Sequence, residues 1–155
     1  MKKILLFCIL SSLLASCFLM NPYRTEHFTF SKNGTEHTVP FVVPKGYNKK
    51  WTSVDAAGNT ILTYTYRSGP VFYLSYMADT ASEMQPIVLQ ENLPLQSLTS
   101  GAIIYKGMDE NMLYFREIRQ NNYRMGYRFV NGDQEYKFDS ATNYMVVWPI
   151  EKPKL

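Results

Sequence analysis

The stretch that most narrows the possible folds of this chain is an Asn-Gly pair between two alternating segments. In Asn33-Gly34 both residues tolerate positive φ, which a two-residue type I′ turn requires. Apolar and polar residues alternate on either side of the pair, as they do in strands with one buried face. The turn predicts an antiparallel hairpin with two cross-strand pairs on one face: Phe30 with His37, and Phe28 with Val39.

A second hairpin is predicted around Ser68-Gly69, which separates two runs rich in tyrosine and β-branched residues. A two-residue loop there pairs Tyr66 with Val71 and Tyr64 with Tyr73. Both faces of this hairpin carry bulky side chains, so we expect it to lie in the centre of a sheet.

The C-terminal third predicts a three-stranded meander with strands at 112–119, 123–130 and 134–138. Its turns are Asn121-Asn122 and Asn131-Gly132. This register gives the meander an aromatic face and a charged face. The aromatic face contains Tyr114, Arg116, Ile118, Met125, Tyr127, Phe129, Tyr136 and Phe138. The charged face contains Phe115, Glu117, Arg119, Arg124, Gly126, Arg128, Glu135 and Lys137.

These segments predict a mainly β fold, with α+β as the alternative. We expect an antiparallel sheet of about seven to eight strands built from hairpins, arranged as a sandwich or half-barrel with one or two short helices. Residues 79–100 are either a short helix limited by Pro86 and Pro94 or a long loop. After the meander, Asp139-Ser140 can cap a short helix, or residues 144–148 can form an edge strand.

The first seventeen residues have the composition of an export signal. Lys2-Lys3 precedes an apolar run at 4–14 that is too short to span a bilayer as a helix. Leu14-Ala15-Ser16-Cys17 resembles the lipobox of bacterial lipoproteins. The resemblance implies cleavage before Cys17 and acylation of its sulfur and amine, and two or three acyl chains anchor a protein stably. The alternative is an ordinary secretory signal in which Cys17 is a free thiol.

The resemblance also implies a location. Phe18 follows the cysteine where inner-membrane lipoproteins commonly carry Asp, and no acidic run follows it, so the periplasmic face of an outer membrane is expected. The predicted organisation is a removed signal peptide at 1–16, a lipidated tether at 17–24, a single β-rich domain at 25–150 and a tail at 151–155.

Composition restricts the chemistry of the mature chain. Removing residues 1–16 leaves 139 of the 155 residues, a normal size for one domain. Cys8 leaves with the signal and Cys17 is acylated, so neither a disulfide nor a thiolate metal site is expected. Without Lys2 and Lys3, 14 basic residues face 13 acidic ones, which gives no argument for nucleic acid binding.

Two sets of residues are candidates for binding. The charged face could bind a carboxylate, a phosphate or an acidic protein surface, or it is a solvated face whose ion pairs contribute little. Its candidate residues are Phe115, Glu117, Arg119, Arg124 and Arg128. Arg116, on the aromatic face, either pairs with a carboxylate, stacks on Tyr127 or indicates a wrong register. The second set is an aromatic platform for a glycan or peptide, with core packing as its alternative: Trp51, Tyr64, Tyr73 and Trp148.

No catalytic constellation is predicted. His27 and His37 fall on opposite faces of the first hairpin, so they cannot share a metal, and no phosphate-binding glycine loop is present. We therefore expect no metal, no cofactor and no enzymatic activity. The leading hypothesis is a lipid-anchored protein-binding or assembly module that binds the membrane through Cys17 and an envelope protein through its domain. The alternatives are a lipoprotein that binds a glycan or peptide, and a small envelope inhibitor or protective protein.

Overall fold

The computed structural model describes residues 21–32, 34–77, 96–97 and 102–146, with described side chains for all of these except 96–97 and 144–146. Within these ranges the protein is mainly β, with eight strands of six or more residues, one two-residue strand and one α-helix. The strands are β1 (Tyr23–Lys32), β2 (Thr35–Pro44), β3 (Tyr47–Val54), β4 (Thr60–Tyr66), β5 (Val71–Tyr76), β6 (Gln96–Ser97), β7 (Ile103–Met108), β8 (Tyr114–Gln120) and β9 (Tyr123–Val130). The helix is α1 (Gly132–Val146).

The domain has two layers. Strands β1 and β2 form a hairpin, and the other strands form one antiparallel sheet in the order β3-β4-β5-β9-β8-β7-β6. The hairpin and α1 pack on the same face of that sheet. Phe41 of β2 lies 6.0 Å from Tyr64, and Phe138 of α1 lies 6.5 Å from Phe72, between ring centroids. Tyr64 and Phe72 are cross-strand partners, so both contacts are on one face.

Rows of apolar side chains across the strands form the core on this face. One buried row passes through five neighbouring strands: Leu62, Leu74, Met125, Ile118 and Ile104. Burying a side chain of this size stabilises the fold by about 1.5–3 kcal/mol. A slip of one residue in any strand would expose its part of the row, so the core fixes the register.

The predicted first hairpin is confirmed. Phe30 pairs with His37 and Phe28 with Val39. Gly34 has the positive φ that the turn requires, at 75°. His37 stacks on Phe30, with 5.7 Å between ring centroids, whereas His27 is exposed on the other face, as the register predicted.

The predicted register of the β4–β5 hairpin is wrong by one residue. Val71 pairs with Thr65 and not with Tyr66. The loop is longer than two residues, because the N–H of Tyr66 donates to the carbonyl of Pro70 and the N–H of Gly69 donates to the carbonyl of Tyr66, each at 3.0 Å. A shift of one residue moves every side chain of β5 to the face opposite the predicted one, relative to β4. Tyr73 therefore lies on the opposite face from Tyr64.

The third strand of the predicted meander, at 134–138, is also wrong, because α1 covers it. Polar and aromatic residues alternate in that segment, which is typical of a strand. The buried residues Phe138, Ala141 and Thr142 instead recur at helical spacing. Their helical stripe packs on the sheet, so burial overrides the local alternation.

The turn predicted at Asn131-Gly132 is the start of this helix. The carbonyl of Asn131 accepts the N–H of Gln134 at 2.9 Å. Asp133 and Glu135 in the first turn complement the positive end of the helix dipole. Glu135 and Lys137, predicted on the charged face, therefore belong to the helix. The predicted edge strand at 144–148 is excluded for residues 144–146, which are helical.

Asp139 fastens α1 to the sheet. Its Oδ1 accepts a hydrogen bond from the Tyr127 hydroxyl at 2.7 Å, and its Oδ2 accepts one from Lys106 Nζ at 2.5 Å. Arg116 Nη1 lies 3.4 Å from Oδ1 and donates to the Thr142 hydroxyl at 3.0 Å. Of the three alternatives for Arg116, the paired carboxylate is therefore correct.

Candidate functional site

The face of the sheet opposite the hairpin and α1 carries a charged cluster. Residues two apart on a strand point to the same side, and the β8–β9 pairing aligns these strands across the turn at 121–122. We call the following residues the arginine cluster: Tyr73 on β5, Glu117 and Arg119 on β8, and Arg124 and Arg128 on β9.

Glu117 is the centre of the arginine cluster. Its Oε2 accepts a hydrogen bond from the Tyr73 hydroxyl at 2.5 Å and lies 2.5 Å from Arg124 Nε. Its Oε1 accepts a hydrogen bond from Arg119 Nε at 2.7 Å. One carboxylate thus holds a phenol and two guanidinium groups, and each charge-assisted bond restricts a long side chain to one position.

Gly126 makes this arrangement possible. Tyr73, Gly126 and Glu117 pair in one row across β5, β9 and β8. A Cβ at Gly126 would lie 2.6 Å from the Tyr73 hydroxyl oxygen and 2.8 Å from its Cζ, and would also meet the backbone oxygen of Arg116. The tyrosine ring can lie across β9 and reach Glu117 because the position between them has no side chain.

Two guanidinium groups flank the ring of Tyr73. Arg124 Cζ lies 5.7 Å from the ring centroid and Arg128 Cζ lies 5.9 Å from it. Burial raises the pKa of the Tyr73 phenol well above its ordinary value, and the Glu117 charge raises it further. The phenol therefore remains a hydrogen-bond donor to Glu117 at any physiological pH.

The cluster is less exposed than the sequence predicted. Glu117 is only 5% exposed and Arg124 only 1%. The prediction of a solvated face is wrong for these two residues, because Tyr73 and the neighbouring side chains cover them. The alternation of residues along a strand cannot show this. Arg119, Arg128 and Phe115 are half-buried, so the face presents them rather than Glu117 to a partner.

The predicted aromatic platform is not assembled. Tyr64 is fully buried on the hairpin side of the sheet and Tyr73 is buried on the other side, as the shifted β4–β5 register requires. Trp51 is 44% exposed on the edge strand β3 and shares the face of Tyr73. Trp148 lies outside the described residues.

Sequence reasoning missed one neighbour of the cluster. Tyr105 on β7 is the cross-strand partner of Glu117, and Arg119 Cζ lies 4.9 Å from its ring centroid. Nothing local in the sequence indicates that β7 pairs with β8. The missing information was the strand order.

The described ranges contain no group of three or more His, Cys, Asp or Glu residues that could hold a metal ion. They also contain no helix that is both long enough and apolar enough to cross a membrane. Comparisons of the chain with protein-family models, with curated proteins and with solved structures find no significant match.

Proposed function

We propose that this protein is a lipid-anchored envelope protein whose domain binds, without catalysis, a partner that carries acidic groups. The observation that supports this most directly is the charge composition of the arginine cluster. Two guanidinium groups pair with a single carboxylate, Glu117, and a third, that of Arg128, lies beside the ring of Tyr73. A surface with such an excess of arginine is suited to carboxylate or phosphate groups.

Arg128 is the residue of the cluster best placed for a partner. It is half-buried, and within the described ranges it forms no ion pair with a carboxylate. Burial lowers the pKa of its guanidinium, but from a value so high that the group stays charged. Its side chain is already partly desolvated and is held beside the Tyr73 ring, so binding would cost it little conformational entropy.

A further carboxylate that influences the cluster belongs to Asp55 in the β3–β4 turn. Asp55 accepts backbone and side-chain hydrogen bonds from Asn59 at 2.8 and 2.9 Å, and the charge of Arg124 contributes to lowering its pKa. This carboxylate therefore interacts with Arg124, while Arg119 is paired with Glu117. Arg128 is the guanidinium of the cluster that remains for a partner.

The proposed anchor would hold this face in the cell envelope. The lipobox-like Leu14-Ala15-Ser16-Cys17 supports acylation at Cys17 and a position on the periplasmic side of an outer membrane. A protein held at a membrane searches a thin layer for its partner, so modest affinity suffices. This favours an envelope protein over a soluble small molecule as the partner.

A glycan or peptide ligand is the second candidate, and Trp51 supports it. Its ring is exposed on the same face as the arginine cluster, two strands from Tyr73. Strands are about 4.8 Å apart, so the backbones of β3 and β5 are separated by roughly 10 Å at these two residues. A ligand that spans Trp51 and Arg128 would use both stacking and charge.

The proposal is tested by crosslinking and pull-down from intact envelopes. We compare the wild type with Arg128→Gln and Arg128→Glu, which remove and reverse one charge. The control is Arg67→Glu in the exposed β4–β5 loop. We expect at least a tenfold loss of partner recovery for both Arg128 variants, about 1.4 kcal/mol of binding free energy, and no loss for the control.

Two further readouts accompany this experiment. Thermal melts show whether each variant remains folded, and mass spectrometry of the mature N-terminus shows whether Cys17 is acylated. Cys17→Ser should move the protein out of the membrane fraction. Undiminished recovery with both folded Arg128 variants would refute the binding face, and a mature Cys17 without acyl mass would refute the anchor.

A further inference from the structure

We infer that one end of the domain, the end from which the lipid tether leaves, inserts apolar side chains into the membrane surface. This inference rests on the proposed acylation of Cys17. Four large apolar residues are exposed at that end: Met108, Met112, Phe129 and Tyr136. We call them the apolar end.

The tether is attached at this same end of the sheet. The carbonyl of Pro22 accepts the N–H of Lys45 at 2.8 Å, which fixes the start of the domain beside the β2–β3 connection. The carbonyl of Lys45 in turn accepts a hydrogen bond from Lys137 Nζ at 2.8 Å. Lys137 is the neighbour of Tyr136 in α1, so the first residues of the domain and the start of the helix lie together.

The strand register shows that the exposed residues of β7, β9 and the β7–β8 turn lie at this same end of the sheet. The C-terminal ends of β7 and β9 meet the N-terminal end of β8, where Tyr114 pairs with both Met108 and Val130. Phe129 precedes Val130, and Met112 lies in the turn between β7 and β8. The apolar end and the tether therefore lie at the same end of the domain.

The short tether keeps the apolar end close to the lipid. Only four residue steps separate Cys17 from Asn21, the first described residue. An extended chain spans at most about 3.3–3.6 Å per residue, so Asn21 lies within about 14 Å of the acylated cysteine. At that distance the apolar end is within reach of the headgroup layer.

Two of these exposed residues also have an uncommon backbone conformation. Met112 and Phe129 have φ of 60° and 57°, a left-handed conformation that glycine or asparagine adopts with less strain. Hydrogen bonds fix the turn at Met112: the Asp109 carboxylate accepts the N–H groups of Asn111 at 2.8 Å and Leu113 at 3.0 Å. The Met112 side chain is therefore exposed on a turn whose backbone is held by hydrogen bonds.

Charge gives this end little net attraction for lipid. Lys45 and Arg67 are exposed there and would attract anionic lipids, but Glu110 and Asp133 are exposed there too and would repel them. The apolar side chains must therefore provide the contact, by burial at the boundary between headgroups and acyl chains. We accordingly expect contact that persists at high salt.

The test uses the full acylated protein reconstituted in vesicles of phosphatidylethanolamine and phosphatidylglycerol. Single cysteines replace Met112 or Phe129, and the matched control is Ala57→Cys in the exposed turn at the opposite end of the sheet. Each carries an environment-sensitive fluorophore, and some of the lipids carry spin-label quenchers. We expect at least about twofold stronger quenching at 112 and 129 than at 57.

The outcomes separate this inference from the proposed function. Equal quenching at the three positions, in protein whose Cys17 carries acyl mass and whose melt matches that of the wild type, overturns the inference and leaves the anchor standing. Absence of acyl mass on Cys17 overturns both. Quenching confined to 112 and 129 that survives high salt supports apolar insertion, and quenching that salt abolishes contradicts it.

Discussion

At the scale of single residues, Gly126 is a position that the surrounding structure restricts to glycine. Its neighbours leave no room for a Cβ: the Tyr73 hydroxyl oxygen would be 2.6 Å away and Tyr73 Cζ 2.8 Å away. The tyrosine cannot move aside without losing its hydrogen bond to Glu117. The backbone oxygen of Arg116, the third neighbour, cannot move without distorting β8.

We predict that Gly126→Ala destabilises the domain by an amount near the upper end of the overpacking range, about 1–3 kcal/mol. Thermal denaturation measures this as a fall in Tm of several degrees. Gly132→Ala is the matched control, because the nearest atom to its Cβ would be Tyr114 Cε2 at 3.4 Å. Equal melting temperatures for the two variants would contradict the assigned packing of Tyr73 across β9.

The sequence shows only part of this site. Asn121-Asn122 correctly places Glu117, Arg119, Arg124 and Arg128 on one face, because a two-residue turn fixes which residues share a side. It does not show that Tyr73 reaches Glu117 across Gly126, since the β5–β9 pairing is not local. The burial of Arg124 follows from that long-range pairing, and so the exposure of the face was predicted wrongly.

At the scale of elements, the position of α1 depends on the polar group that joins it to the sheet. Asp139 connects the helix to Tyr127 on β9 and Lys106 on β7. Burial lowers the pKa of Lys106, but its hydrogen bonds to Asp139 and Glu135 raise it more, so the amine stays protonated. The apolar contacts of Phe138 hold α1 against the sheet. The polar contacts of Asp139 fix where along the sheet the helix lies.

We predict that Asp139→Asn costs about 1.5–3 kcal/mol of stability, because it removes a charged acceptor from a partly buried site. The loss is measured by chemical denaturation. Asp133→Asn is the control, since Asp133 is exposed in the first turn and contributes about 0.3–1 kcal/mol through the helix dipole. A control as destabilised as Asp139→Asn would mean that the network does not hold the helix.

Local signals predict elements only where no stronger long-range contact competes. Asn33-Gly34 fixes its hairpin because both strands and the turn favour the same register. Ser68-Gly69 fails because Pro70 offers a carbonyl that closes a longer loop, and the core row through Leu62 and Leu74 then selects the register. Residues 134–138 alternate like a strand, but the buried stripe that includes Phe138 makes them helical.

At the scale of the whole molecule, the unusual feature is the burial of phenol groups. Four tyrosines in the described structure are buried with pKa values raised well above the ordinary value, chiefly by burial: Tyr64, Tyr66, Tyr73 and Tyr127. Folding therefore favours their protonated forms. In the unfolded chain the same groups ionise near pH 10.

The sign of the pH dependence follows from this difference. Below about pH 10 these phenols are protonated in both states, so their contribution to stability is complete. As the pH rises further the unfolded chain loses protons that the folded chain keeps, and stability falls. We predict that the last tyrosines to ionise do so together with unfolding, when ultraviolet difference absorbance and circular dichroism are followed in one titration. Smooth ionisation of all 12 tyrosines near pH 10 with an unchanged dichroism spectrum would contradict it.

The centre of the sheet joins distant parts of the chain. Strand β5 lies between β4 and β9, so residues 71–76 pair with residues 123–128. Such non-local pairing is slow, and the middle of the sheet cannot close before the C-terminal third is available. This strand order delays closure of the centre of the sheet until residues 123–130 have been made, so residues 71–76 wait for a partner strand from the C-terminal third of the domain.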